Sequence, residues 1–133
     1  MLERIEEGKG PLIPDFILEP VSSSDFWKIL ELKRPNEKIV RIFNDNRKGF
    51  NSKILEVVQQ LREYRDYFEN PVYRRRLSDI GITVFRPQLS VIIGRDYGQL
   101  TIEEIIKAKA DFGNIEITTY EELIEKARQM IWL

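Results

Sequence analysis

Asp15, Glu31 and Lys33 are the residues of this chain whose types and spacing point to chemistry. Glu31 and Lys33 alternate with Leu30 and Leu32 in the run Trp27-Lys28-Ile29-Leu30-Glu31-Leu32-Lys33. On a strand, that alternation turns Glu31 and Lys33 to one face and Leu30 and Leu32 to the other, toward the core. Asp15 follows Pro14 and opens a shorter run, Phe16-Ile17-Leu18. If the two runs form a symmetric hairpin with Asp15 opposite Glu31, its midpoint falls at Ser23, inside Ser22-Ser23-Ser24, where a turn belongs. Directly opposed residues face the same side of a sheet, so two carboxylates and one ammonium would converge on a single patch. Such oxygen donors suit Mg²⁺ or Mn²⁺, with the carbonyl of Leu32 as a further ligand at the strand's rim. A metal held by Asp15, Glu31 and Leu32 would polarise a phosphodiester and acidify an attacking water. Lys33 would orient that water or stabilise charge developing on the phosphate. Glu-Leu-Lys is a common tripeptide, and an exposed charge pair on a strand accounts for it equally well.

Composition narrows the alternatives. The chain has 133 residues and contains neither cysteine nor histidine. That excludes a disulfide framework, zinc sites of the usual His/Cys kind, and Ser-His-Asp or Cys-His catalysis. Chemistry here must run on carboxylates, lysines, tyrosines, amides or a hard metal ion. No apolar run is long enough to span a bilayer and no hydrophobic signal core opens the chain, so a single cytoplasmic domain over residues 1–133 is expected. The net charge of −1 hides an asymmetry: Lys28 to Arg95 carries 15 basic and 8 acidic residues, and the remainder 6 basic and 14 acidic. A basic stretch of this kind can focus a field on a polyanion.

The elements that must position these groups can be read from periodicity and turn residues. Residues 1–12 suggest a truncated N-terminal helix, broken at Gly8-Lys9-Gly10-Pro11. Strands are expected over 15–20 and 26–33, the second ended by Pro35. A polar connection follows, with a short strand at 39–43. The longest helix is expected over 52–70, where Ile54, Val57, Val58, Leu61, Tyr64 and Phe68 form one apolar stripe, capped by Asn51 or Ser52 and stopped by Pro71. Arg74-Arg75-Arg76 lies in a turn or short helix. Strands are expected at 81–85 and 89–93, while Gly94-Arg95-Asp96-Tyr97-Gly98 reads as a turn and lacks the spacing of a phosphate loop. Capping boxes at Thr101-Ile102-Glu103-Glu104 and Thr119-Tyr120-Glu121-Glu122 open two more helices on either side of a strand at 115–118. Ile102, Ile105 and Ile106 form the apolar face of the first, and Leu123, Ile124, Ala127 and Ile131 that of the second. The order ββαβαβα implies an α/β domain layered on a mixed central sheet.

Pro14-Asp15 with Glu31-Leu32-Lys33 resembles the PD-(D/E)xK nuclease signature, set on the paired strands where that superfamily carries it. Gln60-Leu61-Arg62-Glu63-Tyr64 matches the QxxxY element of several of its branches. More narrowly, the chain resembles the nuclease domain of Shedu-type anti-phage defence proteins, through those residues and Arg34-Pro35, Arg86-Pro87, Val91-Ile92-Ile93-Gly94-Arg95 and Thr119-Tyr120-Glu121-Glu122-Leu123. The resemblance implies a restriction-endonuclease-like α/β core with a β-hairpin active site flanked by helices. It further implies Mg²⁺-dependent cleavage of DNA, and assembly into homo-oligomers in the full-length protein. One departure stands out. The superfamily usually has an acidic residue on a helix before the Asp strand, and only Glu3, Glu6 and Glu7 are available here.

Gln60 and Tyr64 stand one helical turn apart and adjoin on one face. Gln60 would assist catalysis near the metal or the scissile phosphate, while Tyr64 reads first as part of the core stripe. Among the basic residues, Arg34 and Lys53 are the expected phosphate contacts, which give affinity without sequence preference. Two alternatives stay open: a nucleic-acid-binding module without catalysis, and an oligomerisation domain of a larger defence protein.

Overall fold

A computed structural model describes residues 2–4, 8–22, 26–84 and 86–131. The expected turn centre at Ser23, the end of the strand expected at Phe85, and the acids Glu6 and Glu7 lie outside them. Four strands make the principal sheet in the order β1-β2-β5-β6: β1 (Phe16–Leu18), β2 (Lys28–Leu32), β5 (Gln88–Ile92) and β6 (Glu116–Thr118). β1 runs antiparallel to β2, and the other two pairings are parallel, so the sheet is mixed. A separate hairpin joins β3 (Val40–Ile42) to β4 (Lys48–Phe50). The helices are α1 (Ser52–Glu69), α2 (Pro71–Asp79), α3 (Ile102–Ala110) and α4 (Tyr120–Ile131).

The β1–β2 register pairs Phe16 with Leu30, Ile17 with Ile29 and Leu18 with Lys28. Extended by one residue, it sets Asp15 opposite Glu31, as the symmetric hairpin requires. The facing is the reverse of expectation. Ile29 and Glu31 share the buried face with Leu89, Val91 and Ile117, whereas Leu30 is half-buried and Leu32 is exposed. The reason is the cover: α1 lays Ile54, Val57, Val58, Leu61, Tyr64 and Phe68 against this side of the sheet. Strand alternation fixes which residues share a face, but the crossover helix decides which face is the core.

Asn51 caps α1 by accepting the amide of Lys53, and Asn70 both closes α1 and caps α2, with Pro71 in the first turn of α2 where its missing N–H costs nothing. No strand forms over 81–84. The amides of Gly81 and Ile82 return to the carbonyls of Ser78 and Leu77, so the segment finishes α2 and pairs with no neighbour. The polar connection contains more structure than expected, because β4 folds back on β3 through a turn at Asn44-Asp45-Asn46-Arg47. At the N-terminus, Leu2 and Leu12 exchange both backbone hydrogen bonds at 2.7 Å and are buried, an isolated bridge, and no helix forms over the described residues among 1–12. Both capping boxes form, at Thr101–Glu104 and Thr119–Glu122. The apolar stripes they introduce nevertheless stay largely in the open: Ile105 is half-buried, and neither α3 nor α4 fully buries a residue among those described.

Candidate active site

The site grows from a break in the β1–β2 ladder. Beyond the Phe16–Leu30 pair the chain bends at Asp15, and the amide of Leu32 finds the Asp15 carboxylate, Oδ2, at 2.8 Å where an unbroken ladder would offer a backbone carbonyl. In return the amide of Asp15 donates to Glu31 Oε1 at 3.1 Å. The N–H and C=O of one strand residue point to the same side, so the carbonyl of Leu32 also faces the β1 edge where Asp15 stands. Asp15 is exposed and Glu31 buried, which makes the pair one wet and one dry carboxylate at the same strand end.

Burial raises the pKa of Glu31 above its ordinary value of 4.5. The Asp15 amide and the Tyr64 hydroxyl pull it back down, the Asp15 charge pushes it up, and Lys33 lowers it again. Tyr64 is held from three sides. Its hydroxyl accepts from Gln60 Nε2 at 3.0 Å, and its single proton faces two acceptors, the carbonyl of Ile13 at 3.2 Å and the Glu31 carboxylate. Burial first, and then the adjacent Glu31 charge, push the Tyr64 phenol far above its ordinary range, so it acts as a neutral hydrogen-bonding post. The helical spacing of Gln60 and Tyr64 thus delivers both the core position and the polar contact.

Lys33 Nζ lies 3.7 Å from Glu31 Oε2, and the lysine side chain stays about a third exposed. Its backbone is fastened on both sides: the amide donates to Ile92 at 2.8 Å, and the carbonyl accepts the hydroxyl of Tyr120 at 2.5 Å. Lys33, Arg34, Lys53 and Gln60 line one cleft of about 390 Å³ between the end of β2 and the first turns of α1. Asp15 and Glu31 do not line it, and stand beside it at the strand edge. The cleft also contains two carboxylates that sequence reasoning missed, Glu37 and Glu56. Glu56 holds Lys53 at 3.8 Å on neighbouring turns, a spacing that was legible. Glu37 follows Pro35 in a loop and carries no pattern.

Among the described residues, no group of three or more Asp or Glu side chains comes together to hold a metal ion. Glu3 is exposed, and the carbonyl through which it takes part accepts the Tyr67 hydroxyl at 2.8 Å. The oxygen donors that the described residues bring to this strand end are the carboxylates of Asp15 and Glu31 and the carbonyl of Leu32. Oxygen-only donors in this number fit a small hard cation that keeps most of its water. Arg74 and Arg75 line a separate cleft beside Pro71 and Val84 and do not join the site.

The profile of the family described as "Shedu protein SduA, C-terminal" matches residues 2–124. No curated protein and no solved structure matches the chain. The family match takes in β1 through β6 and the first turn of α4, with every residue of the site. This chain belongs to the Shedu SduA C-terminal family.

Proposed function

We propose that the chain is a metal-dependent DNA endonuclease domain of the PD-(D/E)xK class, with a restriction-endonuclease-like core, acting in antiviral defence. Family membership supports the defence role. The observation that carries the chemistry is the exchange at the strand end, Leu32 amide to Asp15 and Asp15 amide to Glu31, with Lys33 Nζ 3.7 Å from Glu31. Asp15, Glu31 and the Leu32 carbonyl would hold Mg²⁺ or Mn²⁺, which would supply Lewis-acid polarisation of a phosphodiester and a more acidic water.

The chain's own groups do the rest. Tyr64 and the Asp15 amide hold Glu31 in one orientation, which keeps its second oxygen toward Lys33. The Lys33 ammonium, on a side chain about a third exposed, orients the attacking water or meets the charge that grows on the phosphate. Gln60 spends one amide hydrogen on Tyr64 and stands in the wall of the cleft. Arg34 and Lys53 at the cleft walls would contact backbone phosphates without reading sequence. Self-assembly of the full-length protein belongs to the same reading.

Nicking of supercoiled plasmid with Mg²⁺ or Mn²⁺ tests it. Wild type should nick, and Glu31→Ala and Lys33→Ala should not, with all three folded by circular dichroism. Undiminished cleavage by Lys33→Ala would sink the assignment. The pairing of two acids and no third among the described residues favours a second reading, a DNA-binding module without cleavage. Metal-dependent DNA binding by wild type with no cut product under any divalent ion would select it.

A further inference from the structure

We infer that Tyr120, on the first turn of α4, is a positioning residue for Lys33; the inference rests on the nuclease reading. The parallel ladder between β2 and β5 ends at the pair Leu32–Ile92, after which the Lys33 amide makes one last bond to Ile92. A continuing ladder would give the Lys33 carbonyl an amide from β5, but β5 turns away at Gly94, whose φ of +73° takes the chain out of the sheet. The Gly94 amide goes instead to the carbonyl of Arg34. The Tyr120 hydroxyl fills the vacated position, donating to the Lys33 carbonyl at 2.5 Å across 87 residues of sequence.

Tyr120 is itself rigidly placed. Its amide donates to Gly94 and the next amide, of Glu121, to Arg95, both at 3.0 Å. Thr119, immediately before it, is buried and closes the capping box with Glu122. The start of α4 is thus bolted to the end of β5, and the phenol reaches past it to Lys33, the residue immediately after β2. Arg34 follows with its carbonyl taken by the amides of Gly94 and Glu37, so the Tyr120 hydroxyl is the bond that reaches the Lys33 carbonyl itself. Loss of the hydroxyl frees the Lys33 peptide to rotate, and a displacement of about 1 Å at a reacting group costs on the order of 10²-fold in rate when geometry is critical.

Tyr97 provides the control. It is a second tyrosine at the same junction, its hydroxyl bonded to Glu122 and not to Lys33. In steady-state nicking, Tyr120→Phe should lower kcat on the order of 10-fold with KM for DNA unchanged. Tyr97→Phe should lower thermal stability while kcat per folded molecule stays at the wild-type value. Carbonyl-carbon and side-chain NMR signals of Lys33 should shift in Tyr120→Phe and not in Tyr97→Phe, whether or not the protein cuts. Unchanged kcat in Tyr120→Phe beside an active wild type overturns the inference, as does an equal loss in both variants. If wild type does not nick, the nuclease reading falls and the NMR signals decide the contact: Lys33 resonances that stay in place overturn it, and resonances that move uphold Tyr120's hold on Lys33.

Discussion

Asp15 and Glu31 are joined through the backbone of one and the side chain of the other, Asp15 N to Glu31 Oε1 at 3.1 Å, while the Asp15 carboxylate is committed to the Leu32 amide at 2.8 Å. The Asp15 carboxylate thus gives one oxygen to Leu32, while Glu31 is divided among the Asp15 amide, the Tyr64 hydroxyl and the Lys33 ammonium. Asp15→Asn preserves the acceptor for Leu32 and should keep the wild-type fold, whereas Asp15→Ala gives that amide to solvent. The expected stability loss for the alanine variant is at most about 1 kcal/mol, since an exposed hydrogen bond is readily replaced by water. Both variants should lose metal-dependent nicking entirely. Thermal melts beside plasmid assays check the two effects separately, and retained cleavage in Asp15→Asn would remove Asp15 from the metal site.

The buried Glu31 makes stability depend on pH in a stated direction. Its folded pKa is raised above 4.5, chiefly by burial. Between 4.5 and that raised value the native state holds a proton that the unfolded chain has released, so stability falls as pH rises through this window and stays lower above it. Glu31→Gln keeps an oxygen for the Asp15 amide and removes the charge. In metal-free buffer the variant should melt above wild type at about pH 7.5, with the difference vanishing below both pKa values. Equal melting temperatures across the range would show that Glu31 is not strained by its burial.

Tyr64 is 1% exposed, and its hydroxyl accepts from Gln60 and shares one proton between the Ile13 carbonyl and the Glu31 carboxylate. Tyr64→Phe fills the same space and leaves those partners short of one group, at a cost of about 1–3 kcal/mol. Because the Tyr64 bond lowers the Glu31 pKa, the variant should raise it further and shift the acid limb of the nicking profile to higher pH. Urea denaturation gives the first quantity and a pH–rate profile the second. An unshifted profile would separate Tyr64 from the chemistry and leave it as core.

How much of this was legible depends on the range of the signal. The opposition of Asp15 and Glu31 followed from hairpin symmetry, and Gln60 with Tyr64 from helical spacing, because both are local periodicities. The facing of Glu31 was misread, since Leu30 and Leu32 look like core residues until α1 is known to cover Ile29 and Glu31. Ile102, Ile106, Leu123 and Ile131 have core periodicity and remain exposed, because an amphipathic stripe records a preference and not a partner. β4 was hidden in Lys48-Gly49-Phe50, too short to alternate. Tyr120 gave no warning at all: its bond to Lys33 joins residues 87 apart, and nothing in Thr119-Tyr120-Glu121-Glu122 beyond its capping box points there.

Salt should report the cleft cations. With Ca²⁺ in place of Mg²⁺, DNA binding is read without cleavage. The logarithm of affinity should fall linearly with the logarithm of salt, and Arg34→Ala and Lys53→Ala should each reduce that slope by about 1 if each neutralises one phosphate. Lys53 is already shared with Glu56 at 3.8 Å, so Glu56→Gln should strengthen binding and Lys53→Ala in that background should cost more than in wild type. Fluorescence anisotropy on an arbitrary duplex measures all four, and slopes identical to wild type would place the duplex elsewhere.

Gly94 is the hinge on which the two halves of the site turn. At φ +73° an added Cβ would stand 3.0 Å from the carbonyl oxygen of Glu37 and 3.1 Å from Ile39 Cγ2, against backbone and a buried side chain that cannot both retreat. The left-handed conformation alone costs an L-residue about 1–2 kcal/mol. Gly94→Ala should therefore destabilise the fold by about 2 kcal/mol or more, with the contact to Glu37 adding to the torsional cost. The same residue bonds Arg34 through its amide and Tyr120 through its carbonyl, so whatever the backbone does to relieve the clash moves both neighbours of Lys33. Cleavage by Gly94→Ala should fall further than its loss of folded molecules explains. A melt and a nicking rate taken at one temperature, each corrected to the folded fraction, test this, and a rate per folded molecule equal to wild type would uncouple the turn from the lysine.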